Sequence, residues 1–254
     1  MTKDNQIETW MFKEKGENIN LIFSVFLTLI LGIFLLKINL LITITAVVFG
    51  ILYIKLQQAQ LLGNALEITD SQFPEINQIF DGFKKQLNVK RVRLFITQDP
   101  NPNGFTLGFP NSSIILTSAL VEGLTLDELS FVIGHELGHV KAKHNIILTF
   151  INPLGTNIPV ATYLFSFWQR KAEYTCDKCS LILNKKIEPA IDTLMKVSIG
   201  IKVSKKINLD AYKDQLINSE NSITKTSELL FDHPLTTNRV KKMVAFWRNN
   251  FIIN

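Results

Sequence analysis

The chain has 254 residues, 46% of them hydrophobic and 19% charged, with a net charge of +5 and a mean hydropathy of +0.18. That length makes one large domain, or one ordinary domain with an addition, and the apolar balance excludes bulk disorder. A charge of this size suits a surface near anionic lipid; with no arginine-rich run or base-stacking motif, it gives no sign of a nucleic-acid partner.

Residues 1–18 read as a short charged tail, expected in the cytoplasm, with Lys3, Lys13 and Lys15 set against Asp4, Glu8, Glu14 and Glu17. Trp10 and Phe12 suit a lipid interface. Residues 19–56 hold two apolar runs, each close to the ~20 residues that cross a bilayer as a helix. One helix through both would be over ~50 Å long, more than a hydrocarbon core of about 30 Å. A transmembrane hairpin turning at Leu36-Lys37-Ile38-Asn39 is therefore expected, with a buried core helix pair as the soluble alternative. Lys3, Lys13 and Lys15 precede the hairpin and Lys55 follows it, so the positive-inside bias puts both ends in the cytoplasm.

Residues 57–254 form the remaining domain. Asp70-Ser71-Gln72-Phe73-Pro74 predicts a capped helix start, and apolar residues from Phe73 to Leu87 keep helical spacing. Val92 to Thr97 reads as a strand. Phe105 to Gly108 and Ser113 to Thr117 read as an antiparallel hairpin around Phe109-Pro110-Asn111-Ser112. Thr125 and Glu128 form a capping box that opens a helix containing His135-Glu136-Leu137-Gly138-His139.

Two histidines four residues apart share one helix face, with a carboxylate beside the first. That pattern suits a Zn2+ hydrolase: two imidazole ligands and a base for the attacking water. Gly134 and Gly138 cost the helix roughly 1 kcal/mol each, and they allow close approach of a neighbour to the ligand face. His144, five residues past His139, falls on another face and reads as a surface histidine.

The stretch 145–168 is charge-free, apolar and broken by prolines. It is too short for two membrane spans. A single span would put His139 and Glu173 on opposite sides, so a reversal near Pro153-Leu154-Gly155 is expected, membrane-associated or core-packed. Beyond it, Glu173 and Asp177 lie one helical turn apart. Glu173 is the candidate third ligand, which leaves one coordination position open. Asp177 is the candidate acceptor for a ligand histidine's free ring N–H. Cys176 and Cys179 sit in the same helical run without a second pair; they read as small buried residues rather than a redox or metal pair. Two cysteines give no disulfide framework, which fits a reducing compartment.

His135-Glu136-Leu137-Gly138-His139, then Glu173 and Asp177, then Asp232-His233-Pro234 with Arg239, occur in the order of the HtpX-type membrane zinc metalloproteases. The chain resembles that family, which is related to the CAAX prenyl proteases within the gluzincins. The resemblance implies a zinc endopeptidase holding one Zn2+ per chain on His135, His139 and Glu173, with Glu136 as general base. It implies His233 as a transition-state stabiliser, Arg239 as a supporting residue, and Asn103-Gly104-Phe105 as the edge strand that takes a polypeptide substrate as an added strand. Gly104 replaces the family's usual Ala, which should loosen that strand.

The fold expected is mainly α with a small antiparallel β-sheet, an α+β metalloprotease domain preceded by the hairpin. The expected protein is a multi-pass bacterial cell-membrane protease with its catalytic domain in the cytoplasm. Its role would be membrane-protein quality control or peptide processing. A non-catalytic membrane scaffold with a structural zinc is the rival; such sites usually carry four protein ligands.

Overall fold

The computed structural model describes residues 6–108, 111–151, 153, 159–208, 210–212, 214 and 234–252. Helix α1 spans Glu17–Ile38 and helix α2 spans Leu40–Asn64. Asn39 separates them in extended backbone, and its side chain accepts from the Ile42 N–H, so the turn falls where the sequence placed it. Both helices are long and apolar enough to cross a membrane, and almost none of their most apolar windows is buried. Ile22, Leu41 and Phe49 are each more than half exposed. A buried core helix pair is thereby excluded. The chain leaves the domain along α1 and returns along α2, whose last turn packs Leu61 and Leu62 against Phe95, Leu107 and Ile115.

The residues before α1 do not hang free. Ile7 and Phe12 are buried, and the Ile7 N–H donates to the Gln86 carbonyl at 3.0 Å. Glu14 pairs with Lys171, Lys178 and Lys242. Residues 6–16 thus lie as a strap across the domain.

Among the described residues the sheet has four strands, β1 (Leu66–Glu67), β2 (Val92–Thr97), β3 (Gly104–Leu107) and β4 (Ser112–Thr117), in the order β1-β2-β4-β3. β3 and β4 are the expected antiparallel pair. β2 and β4 run parallel, so the sheet is mixed rather than wholly antiparallel. The cause is the excursion through β3: the chain passes to the far side of β4 before returning beside β2. β3 is left as an edge strand, paired on one side only.

Helix α3 (Pro74–Leu87) follows β1 and begins with proline at its first turn. No side chain caps it; Phe73 holds the cap position with φ 58°, and Asp70 accepts from Asn77 instead. The short α4 (Ser118–Gly123) leads to α5 (Leu126–Lys141), where the Thr125–Glu128 capping box forms in both directions. Then come α6 (His144–Ile151), α7 (Pro159–Asn184), α8 (Glu188–Ile199), α9 (Ile201–Ser204) and α10 (Thr236–Trp247).

One core joins α3, α5 and the sheet through Phe80, Leu87, Ile114, Leu116, Ile133 and Leu137. A second joins α5, α7, α8 and α10 through Phe131, Leu181, Met195 and Met243. A third packs α6 on the start of α7, where Ile151, Phe165 and Trp168 meet Leu21 of α1. The described parts of 145–168 therefore belong to α6 and the start of α7, whose cluster includes Leu21 of α1. Most of the reversal expected at Pro153-Leu154-Gly155 lies outside the described residues.

Candidate metal and catalytic site

The site is built where α5 crosses α7. A Cβ added at Gly134 would sit 2.8 Å from Ser180 Oγ, and one at Gly138 would sit 3.1 Å from Cys176 Cα and from Cys179 Cβ. The two glycines thus let the helices approach almost backbone to backbone. The small side chains of Cys176, Cys179 and Ser180 complete the contact. Both cysteines are free and fully buried, and burial pushes both thiols up, Cys176 with Glu173 as the next cause. Two inert packing residues fit that setting better than a redox pair.

Because the helices lie so close, the metal candidates converge. His135 Nε2 and His139 Nε2 are 3.3 Å apart. Glu173 Oε2 lies 3.4 Å from His135 Nε2, and Glu173 Oε1 lies 3.4 Å from His139 Nε2. Two ligand atoms at about 2.0–2.1 Å from a tetrahedral ion stand about 3.3–3.4 Å apart. The three side chains are therefore spaced much as the ligands of a Zn2+ ion would be, with a different Glu173 oxygen facing each histidine. His135, His139 and Cys176 also bring one ligand atom each within 4.8 Å of one another, a looser His–His–Cys set. The closer spacing, 3.4 Å from each histidine Nε2 to a carboxylate oxygen, ranks Glu173 ahead of the thiol as the candidate.

Around this trio lies a second layer of contacts. His135 Nδ1 is 3.0 Å from Asp177 Oδ1. Arg239 from α10 grips Asp177 with two donors, Nη2 to Oδ1 at 2.6 Å and Nε to Oδ2 at 2.9 Å, and its Nη1 lies 3.3 Å from Glu173. Burial alone would raise Asp177, but Arg239 and the His135 hydrogen bond hold it below the usual carboxylate range. Burial alone would lower His135; Glu173 and Asp177 outweigh it and raise the imidazole to about 10. The cluster attracts positive charge.

Glu136 is buried beside the trio. The Thr106 hydroxyl donates to its Oε2 at 2.6 Å and to its carbonyl at 3.3 Å. A cavity of about 290 Å³ opens from the site, lined by Asn103, Gly104, Phe105 and Thr106 of the edge strand and by His135, Glu136, His139, Glu173 and Arg239. A Cβ at Gly104 would meet Val132 at 3.1 Å and Glu136 Oε1 at 3.4 Å. Glycine at this position thus leaves room next to Glu136. The lining also includes the apolar Leu120, Phe131, Leu194 and Val197.

Of the sequence candidates, His135, Glu136, His139, Glu173, Asp177, Arg239 and the 103–105 strand come together here; His233 lies outside the described residues. Two partners were not foreseen. Thr106 ends the Asn103-Gly104-Phe105-Thr106 match to the family's edge strand but carried no expected role at Glu136, although its place two residues past Gly104 puts it on the same face of the strand. His144 was expected on the surface and is instead 3% exposed, with its Nδ1 at 3.2 Å from His139 Nδ1. α5 ends at Lys141 and Lys143 takes φ 64°, so the chain turns before His144 and the helical face argument no longer applies.

A model of Peptidase family M48 matches residues 70–165 and 154–246. The chain belongs to this family. The resemblance to HtpX-type proteases carried by the three motifs is borne out. Among M48-like relatives, the Plastoglobule-localized metallopeptidase 48, chloroplastic, of Arabidopsis thaliana is 29% identical over 168 residues, covering 61% of this chain and 49% of that protein. A Protease HtpX homolog of Moorella thermoacetica is 30% identical over 106 residues, covering 41% of this chain and 36% of its own length. The chain thus spans about half or less of the length of these curated relatives. The crystal structure of S. mikatae Ste24p superposes with a TM-score of 0.53 at 16% identity, covering 89% of this chain and 64% of that one; at that identity the likeness concerns the fold.

Proposed function

We propose that the chain is a membrane-anchored zinc endopeptidase. The observation that carries this reading is the spacing of His135, His139 and Glu173 at 3.3–3.4 Å, beside a buried Glu136 and open to a cavity lined by the edge strand β3. His135, His139 and Glu173 would hold Zn2+, which would supply a Lewis acid for the scissile carbonyl and for the attacking water. Glu136 takes the proton from the attacking water and passes it to the leaving amine nitrogen. Thr106 holds one oxygen of Glu136 and leaves the other beside Gly104, on the cavity side.

Asp177 accepts from His135 Nδ1 and so keeps Nε2 free as a donor atom, while Arg239 fixes Asp177. A polypeptide lies along β3 as an added strand, with backbone bonds for affinity and the apolar lining of the cavity for a side chain. His233 is kept as the candidate transition-state stabiliser. The α1–α2 hairpin crosses the bilayer with Lys37 at the far turn, and the domain faces the cytoplasm.

His144 has no place as a fourth ligand. It stands behind His139, at Nδ1, away from the trio of ligand atoms. Among the described residues, a set of His135, His139 and Glu173 keeps one position for water, as a catalytic site needs.

The test uses the detergent-solubilised chain. Metal analysis should find one zinc, and cleavage of an unfolded protein should stop on chelation and return with zinc. Glu136→Gln should retain the zinc and lose at least a hundredfold in cleavage rate. Absence of bound zinc, or full activity in Glu136→Gln, would refute the proposal.

A further inference from the structure

Behind the metal candidates runs a second chain of buried polar groups that the proposed reaction does not use. His139 Nδ1 is 3.2 Å from His144 Nδ1. His144 Nε2 is 3.0 Å from Glu17 Oε1. Glu17 Oε2 accepts from the Thr175 hydroxyl, and Lys13 approaches Oε1 at 3.3 Å. Thr175 Oγ1 in turn accepts the Glu14 backbone N–H at 2.9 Å. Glu17, His144 and Thr175 are each at most 3% exposed, and the Trp168 ring closes edge-on over His144 at 5.5 Å between centroids.

When His139 donates its Nε2 lone pair to a metal, one distribution of protons satisfies these contacts; Cys176 Sγ, 3.7 Å from His144 Nδ1, is the other group at that nitrogen. A neutral His139 then carries its proton on Nδ1 and must find an acceptor there. The neighbour is His144 Nδ1, which can accept only if the His144 proton sits on Nε2. That N–H in turn needs an acceptor, and Glu17 provides it. A favourable place at the N-terminal turn of α1 accounts for an acidic residue at position 17. It does not account for burying the carboxylate against a histidine 127 residues away. An unpaired carboxylate buried this deeply is costly, so the pairing needs a reason beyond the helix dipole.

We infer that His144 and Glu17 are positioning residues for the metal site: Glu17, in the first turn of helix α1, fixes through His144 the tautomer and ring orientation of the ligand His139. Asp177 does this for His135 from α7; the pair His144–Glu17 does it for His139 from the anchoring helix. Each metal histidine has its own carboxylate, one reached directly and one through a second imidazole. The inference rests on reading His139 as a metal ligand, and its test separates the two.

The test measures zinc affinity by chelator competition on the full-length chain in detergent, beside the melting temperature of each metal-free variant. His144→Phe keeps the ring volume and the edge contact with Trp168 but removes the acceptor. Its zinc affinity should fall tenfold to a hundredfold, the usual effect of losing a ligand's outer partner. Glu17→Gln keeps an acceptor oxygen and should stay within about threefold of the parent, whereas Glu17→Leu should weaken zinc in the direction of His144→Phe. Because the residues act in series, adding Glu17→Leu to His144→Phe should weaken zinc little further.

A purely structural role would lower metal-free stability and leave zinc affinity alone. Parent-like zinc affinity in His144→Phe, or fully additive losses in the double variant, would overturn the inference while leaving the metal site intact. A parent chain that binds no zinc would instead overturn the reading of His139 on which it stands.

Discussion

His135, His139 and Glu173 were legible as candidates because ligand chemistry needs few residue types at fixed helical spacing, and α5 and α7 keep that spacing. Cys176 is the competitor that only the folded chain presents, one turn from Glu173 and within 4.8 Å of both histidines. The two sets make different demands. If Glu173 is the ligand, Glu173→Ala should lower zinc affinity by two orders of magnitude or more, while Cys176→Ala should keep one zinc per chain. Metal analysis after dialysis distinguishes them.

The pH response follows from His135. Its pKa is raised to about 10, above the ordinary imidazole value of about 6.5. In the metal-free chain, the stability from its contacts with Glu173 and Asp177 is therefore fully present below about pH 6.5 and is lost as pH rises through about 10. Zinc must displace that proton, so apparent zinc affinity should rise roughly tenfold per pH unit between pH 6 and 8. Chelator competition at several pH values checks this; a flat profile would mean that no proton is displaced. His144 was misjudged on the surface because its position depends on the reversal at Lys143, which no helical periodicity reports.

At the scale of elements, the contact of α5 with α7 does most to place the site. Its sequence signal was the pair of glycines in an otherwise apolar helix, whose purpose the neighbouring helix makes plain. Gly138→Val should push a branched side chain against the Cys176 backbone and the Cys179 side chain and cost about 1–3 kcal/mol. Glu173 would move away from the histidines as α7 gives way, so zinc affinity should fall together with the melting temperature. A variant that melts lower but binds zinc as tightly would show that the site tolerates a wider helix spacing. The Thr125–Glu128 capping box was equally legible, since a cap is a local signal. The parallel pairing of β2 with β4 was not. Periodicity reports that a stretch is a strand but not which neighbour it finds, and here β3 intervenes in sequence and ends up on the outside.

At the scale of the molecule, the two apolar helices and the domain are not joined by a linker alone. Residues 6–16 are strapped across α3, α7 and α10, and Glu17 reaches His144. Hydrophobic length made the hairpin visible, but the strap was hidden because alternating charges in a short segment look the same free or docked. Deleting residues 1–39 should therefore lower both zinc affinity and melting temperature of the remainder, beyond what loss of an anchor would do. Measuring both in detergent, where anchoring is irrelevant, isolates that effect.

The strap also sets an order of events in folding. Glu14 pairs with Lys242, 228 residues further along, and Thr175 closes on Glu17 across 158. Neither contact can form until α7 and α10 have been synthesised. The entropy of closing such loops grows only slowly with length, about 0.6 kcal/mol per doubling, so the delay is kinetic more than thermodynamic. A ribosome that has made α1 and α2 has made two apolar helices with their first carboxylates waiting. The candidate site is completed from the other end of the sequence, when Arg239 arrives on Asp177 and Lys242 on Glu14. A nascent chain therefore carries its apolar helices well before the candidate site is assembled.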